Sequence, residues 1–417
     1  MSLLILHKKN QSRRRHLIRA HEYARQHGEE LILIMKDPTW EADFADRVVH
    51  ADVGSVEQTL AAVRRLTVPI SAVASFAEAA VPTVATVAAV LSLPAVSERT
   101  AYAARDKYAM RQAFAEGSVS QPAFALAKTA EEARLSARKT GFPVVLKPVL
   151  GTGSMYVRSI ASQPELDSHF ALLKKKSWAN FAGDPLYSAA HYKHDGALLV
   201  EEFVSGPEIC VDSLVVAGET HVIAIHDKPL PTGPTFEEVY ACTPTRLPRH
   251  VVDGVAEATK AVHAALGISM GATHVEFRLR EGREPVVLEA AARMGGGPIY
   301  RSVLLSTGID LVAAALDLAS GRTPSQLQPA ALRTVGFWNI FPDRPGRFTG
   351  VRGLEEARAD PRVDEIEIYR ELGEYLDVPP QTIQGHGHLV FTVDSVDELD
   401  DTFRHYLKMV RLETQDT

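Results

Sequence analysis

Glu276 and Glu289 sit on the two arms of one short segment, and Arg293 follows. The segment runs Val275-Glu276-Phe277-Arg278-Leu279, then Arg280-Glu281-Gly282-Arg283-Glu284, then Pro285-Val286-Val287-Leu288-Glu289. Both arms alternate like strands, and Glu281-Gly282-Arg283-Glu284 suits a tight turn with glycine at its first central position. A turn centred between Gly282 and Arg283 sets Glu276 directly opposite Glu289. Carboxylates so opposed lie about 5 Å apart and repel. A divalent cation between them removes the repulsion, and hard oxygen ligands suit Mg²⁺ or Mn²⁺. The alternative is a pair of solvated glutamates on an exposed hairpin.

A second group could hold phosphate. Val144-Val145-Leu146-Lys147 ends as a buried strand, and Gly151-Thr152-Gly153-Ser154-Met155 turns back from it. Glycine lets backbone N–H groups approach phosphate oxygens, and the lysine balances their charge. No Gly-Lys-Ser/Thr follows, which excludes a Walker A loop, and the protein-kinase signatures are absent. An ordinary hairpin turn is the competing reading. Further on, Glu201-Glu202-Phe203-Val204 leaves a strand and could offer backbone groups to a base edge. Glu208 opens the next strand; it suits ribose hydroxyls or plain solvent.

These groups need elements to position them. The first hundred residues alternate strands (Leu3–Leu6, Glu30–Ile34, Arg47–His50, Ile70–Ala74) with helices at 11–26 and 79–91, a small parallel α/β unit. It lacks the G-x-G-x-x-G fingerprint. The run Arg13-Arg14-Arg15 reads as a solvated helix start. From Phe142 onward antiparallel strands are expected at 144–147, 155–160, 197–203, 208–216 and 221–226. A helix at 251–266 presents Val251, Val255, Ala258 and Val262 on one face. A helix at 311–319 comes next, then strands near 334–340, 364–369 and 386–392 and a helix at 395–410.

Composition narrows the classes. With 417 residues, 46% apolar and 23% charged, the chain reads as a multidomain globular protein. A net charge of −7 argues against a nucleic-acid binder. Cys210 and Cys242 give neither a disulfide framework nor zinc spacing. The apolar start is too short for a signal peptide, and no stretch approaches a membrane span, so a cytoplasmic setting is expected.

Taken in order, Lys107, Lys147, the 151–155 loop, Glu201 to Val204, Glu208, Glu276 and Glu289-x-x-x-Arg293 resemble the ATP-grasp superfamily over about residues 1–300. The C-terminal stretch Gly385-His386-Gly387-His388-Leu389-Val390-Phe391, and Ile225-His226-Asp227-Lys228-Pro229 before it, resemble the L-amino acid ligase branch that includes carnosine synthase. The implied fold class is α/β with a grasp core: a parallel Rossmann-like N-terminal domain (1–97), a helical linker (98–125), a small lobe with the glycine loop (126–204), a large lobe with the metal site (205–330) and a C-terminal lobe (331–417). The two grasp lobes would be antiparallel sheets.

The resemblance implies roles as well. Lys107 and Lys147 would bind ATP phosphates under a closing loop of Gly151, Thr152, Gly153, Ser154 and Met155. Glu201, Glu202, Phe203 and Val204 would take the adenine and Glu208 the ribose. Glu276 and Glu289 would carry Mg²⁺ or Mn²⁺, and Arg293 would steady the transferring phosphoryl group. Gly295, Gly296 and Gly297 would donate near the substrate carboxylate. Glu238 and Asp227 are candidates for a substrate ammonium, with His226 as a core, supporting or catalytic histidine. Solvated loop carboxylates are the alternative for the two acids. Ala291 stands where many relatives have a metal-binding asparagine.

The expected activity is an ATP-dependent carboxylate–amine ligase joining two amino acids, or an amino acid and a related amine, through an acyl phosphate. Partners would be small amino-acid substrates and a second copy in a homodimer, with neither nucleic acid nor membrane. A bicarbonate-activating enzyme and a non-catalytic ATP-binding protein are the competing readings. The glycine loop and the C-terminal lobe are the expected lids.

Overall fold

The computed structural model describes residues 1–230, 233–382 and 384–416. Four parallel strands open the chain: β1 (Ser2–Leu6), β2 (Glu30–Met35), β3 (Arg47–His50) and β4 (Ile70–Ala74), in the order β3-β2-β1-β4. The central two are apolar after their first residues, Ser2 and Glu30, because helices cover both faces. Leu3 and Ile5 pack with Leu17 and Ala20, whereas Leu4 and Leu6 pack with Ala62 and Val87. The arginine run divides. Arg14 and Arg15 are exposed as expected, but Arg13 is buried, because its side chain turns inward toward Gly295.

An antiparallel sheet follows, with β5 (Phe124–Ala127), β6 (Val144–Pro148), β7 (Arg158–Ile160) and β8 (Leu198–Glu202) in the order β5-β8-β6-β7. Helices Ala130–Thr140 and Gln163–Asn180 seal one face with Ala133, Ala137, Leu166 and Phe170. The strand expected at 155–160 begins only at Arg158. Ser154 and Tyr156 have φ of 58° and 63°, left-handed values that no strand accommodates.

The rest of the chain supplies β9 (Glu208–Val216), β10 (Glu219–Leu230), β11 (Tyr240–Thr243), β12 (Gly271–Arg280), β13 (Glu284–Ala291), β14 (Thr334–Ile340), β15 (Gly346–Arg352), β16 (Val363–Ile368), β17 (Tyr375–Leu376), β18 (Gly387–Val393) and β19 (Arg411–Gln415). Eight of these form one sheet, β13-β12-β9-β10-β11-β14-β18-β16, and three form a small one, β17-β15-β19. The strands after residue 331 therefore divide: β14, β18 and β16 extend the large sheet, and β15, β17 and β19 make the small one. β14 pairs with β11, Tyr240 opposite Trp338, and carries the large sheet onward.

The helix Arg249–Leu266 covers one face of that sheet, with Val251, Val255 and Val262 against Val211, Val275 and Phe277. The other face shares a core with helices Ile299–Thr307 and Leu311–Ala319 and with the N-terminal sheet: Val303, Leu311, Leu214, Phe337, Leu3 and Ile5 belong to one apolar cluster. Trp178 and Trp338 are both core residues. Among the described residues no single helix is long and apolar enough to cross a membrane.

Candidate functional site

Strand pairing places the acidic and basic side chains in rows. Lys228, Glu208 and Arg278 are cross-strand partners on β10, β9 and β12. The next row is His226, Cys210, Glu276 and Glu289, the last on β13, and the one after is Ala224, Asp212, His274 and Ala291. Side chains alternate in strands, so rows two residues apart share one face. The opposite face holds the valines and phenylalanines under Arg249–Leu266. Sequence alternation therefore fixes which side is wet.

Glu276 and Glu289 are Cα partners, but not through the expected turn. Arg280 pairs with Glu284, leaving a loop of Glu281, Gly282 and Arg283, with Glu281 and Gly282 at φ 52° and 73°. Alone, that loop would slide the register by one. A bulge between Glu276 and Phe277 on the β12 side restores it by leaving Leu288 without a partner. Arg111 satisfies the freed chain: Nη2 donates to the Leu288 carbonyl at 2.7 Å and Nη1 to Val287 at 3.3 Å.

Each of the two carboxylates has a lysine. Lys228 reaches Glu276 at 3.2 Å and Glu208 at 2.9 Å; Lys107 reaches Glu289 at 2.9 Å. Burial alone would raise the Glu276 carboxyl, but Lys228 and His274 hold it well below the usual carboxylate range. It is ionised at neutral pH. Two ionised, opposed oxygen donors suit a hard divalent cation. Ala291 adds no donor and faces His274.

Lys107 and Arg111 lie one turn apart on the helix Lys107–Glu116, which Asp106 caps through Tyr108 and Ala109 N–H. Arg111 grips Glu201 at 2.7 and 3.1 Å, and Lys147 meets the same carboxylate at 2.7 Å. Burial would raise Glu201, yet Arg111 and Lys147 hold it at about 2. Burial pushes Lys147 down to about 8 despite Glu201. The Glu201 side chain is thus paired with these cations, while the residue also lines the cleft where the adenine is expected.

A cleft lies between the small sheet and the large one. Lys147, Ser154, Glu201, Glu202, Phe203, Val204, Glu208, Glu276 and Glu289 all line it. Arg278 forms its floor: it donates to Glu208 at 3.1 Å and to the Val204 carbonyl at 3.0 Å, and its guanidinium lies 4.9 Å from the Phe203 ring. Phe236 flanks it at 5.4 Å. Of the glycine loop, Ser154 reaches the lining, while Thr152 and Gly153 are exposed and the Gly151 carbonyl accepts from Arg105 and Lys107, both at 3.2 Å. Met155 is half-buried against Asn180.

Arg293 pairs through Nε with Glu78 at 2.5 Å and donates through Nη1 to the Met294 carbonyl at 2.7 Å. Glu78 also meets Arg105 at 3.4 Å, so one carboxylate from the N-terminal part ties Arg293 to the root of the glycine loop. Gly295 donates to Asp212 at 3.1 Å. A Cβ there would lie 2.6 Å from Ile299 and 2.8 Å from Asp212, so only glycine fits. Gly296 and Gly297 follow at the start of the helix Ile299–Thr307.

The substrate candidates separate. Glu238 is near Lys228, His274 and Glu276, and burial raises its carboxyl pKa. Asp227 points elsewhere: it accepts from Thr245 and from Arg246 at 3.0 Å, on the side of β10 away from the cleft. Its expected contact with a substrate ammonium is replaced by that ion pair. His226 is fully buried, bonded to Ser302 at 3.0 Å and 3.7 Å from Asp212, with burial pushing it down to about 4. It is a neutral core histidine.

Several residues at this site escaped the sequence reading. Lys228 and Arg278 could have been found by alternation from His226 and Glu276, and Arg111 by helical spacing from Lys107. Arg13, Glu78 and Arg105 carry no local signal; long-range packing alone brings them in.

Residues 140–300 match the ATP-grasp domain family, and residues 339–415 match L-amino acid ligase C-terminal domain 2. The chain is 28% identical over 344 residues to uncharacterized protein y4rH of Sinorhizobium fredii, covering 81% of this chain and 68% of that one. It is 28% identical over 224 residues to alanine–anticapsin ligase of Bacillus subtilis (strain 168), covering 50% of this chain and 45% of the ligase, less than half its length. In fold it resembles the crystal structure of L-amino acid ligase from Bacillus licheniformis, with a TM-score of 0.84 at 24% identity over 100% of this chain and 99% of that one.

Proposed function

This chain is an ATP-grasp protein with an L-amino acid ligase C-terminal domain, and on that footing we propose that it joins the carboxylate of one amino acid to the amine of another, consuming ATP. The observation that carries the reading is the opposed pair Glu276 and Glu289, both lining a cleft that Lys147 and Arg278 also line, with Lys107 paired to Glu289 behind it.

A carboxylate is a poor electrophile, and its conversion to an acyl phosphate supplies a leaving group. The transferring phosphoryl group carries spread negative charge, so the protein's task is alignment and cation placement. Lys107 and Lys147 hold the phosphates, with Ser154 and the glycine loop above them. Phe203, Arg278 and the backbone of Val204 frame the base, and Glu208 faces the ribose. Glu276 and Glu289 would hold a Mg²⁺, which would supply further charge neutralisation at the phosphates. Arg293, anchored by Glu78, stabilises charge on the reacting carboxyl group, and Glu238 receives a substrate ammonium. The ammonium gives one proton to Glu238, the freed amine attacks the acyl carbon, the amide C–N bond forms, and phosphate leaves with the C–O electron pair and takes up the second N–H proton. Water must be kept from the acyl phosphate, which calls for the cleft to close over it during the reaction.

The test is a screen of single and paired amino acids with ATP and Mg²⁺, read by phosphate release and product mass. Pair-dependent release with a dipeptide mass is expected. Turnover that depends on bicarbonate, or nucleotide binding without turnover across the screen, counts against the ligase.

A further inference from the structure

Arg13 reaches the site from the N-terminal end of the chain; Glu78 and Glu238 act on its charge from a distance, but no carboxylate is in contact with it among the described residues. It is 6% exposed. Nη1 donates to the Gly295 carbonyl at 3.2 Å and lies 3.4 Å from His16 Nε2. Nε finds no acceptor, and among the described residues Arg13 makes no ion pair. His16 cannot neutralise it: burial, with the Arg13 charge beside it, holds that histidine well below its usual pKa. A buried guanidinium without a carboxylate is costly, and such a charge ordinarily marks a site where an anion arrives.

The surroundings define where the anion sits. Arg13 and Arg293 donate to consecutive carbonyls, Gly295 and Met294. Nη2 of Arg13 lies 3.3 Å from where a Gly296 Cβ would be, so that glycine leaves the cation open. The helix Ile299–Thr307 begins just beyond, with no side-chain cap at its first turn. Ile299 and Arg301 N–H are already bonded to the Gly296 and Pro298 carbonyls, so what the helix start adds is its dipole, which favours an anion at the same place. The loop bearing Arg13 is built rigidly: Asn10 caps it through Ser12, and Gln384 binds Asn10 at 2.9 Å and Ser12 at 3.2 Å. Burial and the Arg293 charge push Arg13 down to about 9, which leaves it a cation at neutral pH.

Arg293 is already paired with Glu78, whereas Arg13 is not. The donor's carboxylate is consumed when it is phosphorylated, so a carboxylate that survives the reaction belongs to the amine-bearing substrate. We propose that Arg13 binds the carboxylate of that acceptor, so that the site selects an α-amino acid over a simple amine as nucleophile. This rests on the ligase reading above.

An amino acid amide has no carboxylate to activate and can act only as acceptor, which makes it the probe. Product formation is followed with a fixed donor amino acid and with each acceptor given as the free acid or as its amide, for the unaltered protein, Arg13→Gln and Arg13→Lys. The unaltered protein should favour free acids by about 100-fold in kcat/KM. Arg13→Gln should raise the acceptor KM at least tenfold, leave the KM for ATP within twofold and collapse the acid-to-amide ratio; Arg13→Lys should restore part of it. An unchanged ratio in Arg13→Gln, or equal losses for ATP and acceptor, overturns the proposal while leaving the ligase reading intact. Should no pair give product, the ligase reading fails, and thermal shift with Mg·ADP decides Arg13: free amino acids should stabilise the unaltered protein and not Arg13→Gln, and equal responses overturn it.

Discussion

Arg111 donates to the carbonyl of Leu288, the residue of β13 that the bulge leaves without a cross-strand partner. The same guanidinium holds Glu201, which in turn holds Lys147. One buried side chain therefore sets the register of Glu289 against Glu276 and the position of a lysine on the opposite wall.

Arg111→Met should destabilise the protein by about 3–5 kcal/mol, because it strands the Glu201 charge and two buried carbonyls. Chemical denaturation measures this. Arg111→Met combined with Glu201→Gln should recover part of the loss, since the uncompensated carboxylate is gone. No recovery would place the loss in the bulge alone.

Arg293→Ala should cut kcat by about 10²–10³-fold, the scale for removing one transition-state donor, with KM for ATP nearly unchanged. Steady-state kinetics separates the two constants. Equal losses in both would make Arg293 a binding residue. Glu78→Gln should act in the same direction but more weakly, through loss of the 2.5 Å pair that anchors Arg293.

Affinity for ATP should fall as pH rises through about 8. Burial lowers the Lys147 pKa to that value, and deprotonation removes a cation that faces phosphate. Protonated Lys147 binds phosphate better, so ATP binding at pH 8 to 9 should take up protons. Calorimetry in buffers of different ionisation enthalpy reads this directly. Lys147→Arg should shift the fall to higher pH, because a guanidinium stays charged there.

Gly295→Ala should cost about 1–3 kcal/mol by overpacking against Ile299 and Asp212, measured as a drop in Tm. Adding Ile299→Val should relieve part of the clash. A neutral Gly295→Ala would mean that the turn after Arg293 relaxes freely.

Much of this was legible in residue patterns. Runs such as Ile70–Ala74 and Thr334–Ile340 begin and end as alternation and apolar content dictate. Glu276 and Glu289 face each other as the hairpin reading expects, yet through two offsetting irregularities, a longer loop and a bulge, that no local pattern announces. Glu201 illustrates the limit of a motif. Its position in the cleft was readable, but the use of its carboxylate depends on Arg111, 90 residues away. Arg13 lay beyond reach for the same reason: its partner Gly295 is 282 residues distant, and a basic run at a helix start ordinarily faces water.

The continuity of the large sheet also bears on how the cleft shuts. β14 is hydrogen-bonded to β11 over Val335 to Trp338, so β14, β18 and β16 belong to the platform that carries Glu276. A swing of those strands would tear a ladder apart, whereas among the described residues β5 to β8 share no ladder with the platform and meet it through an isolated bridge between Arg158 and Thr235. The ladders thus leave the small sheet with its glycine loop freer to close over the cleft than β14, β18 and β16.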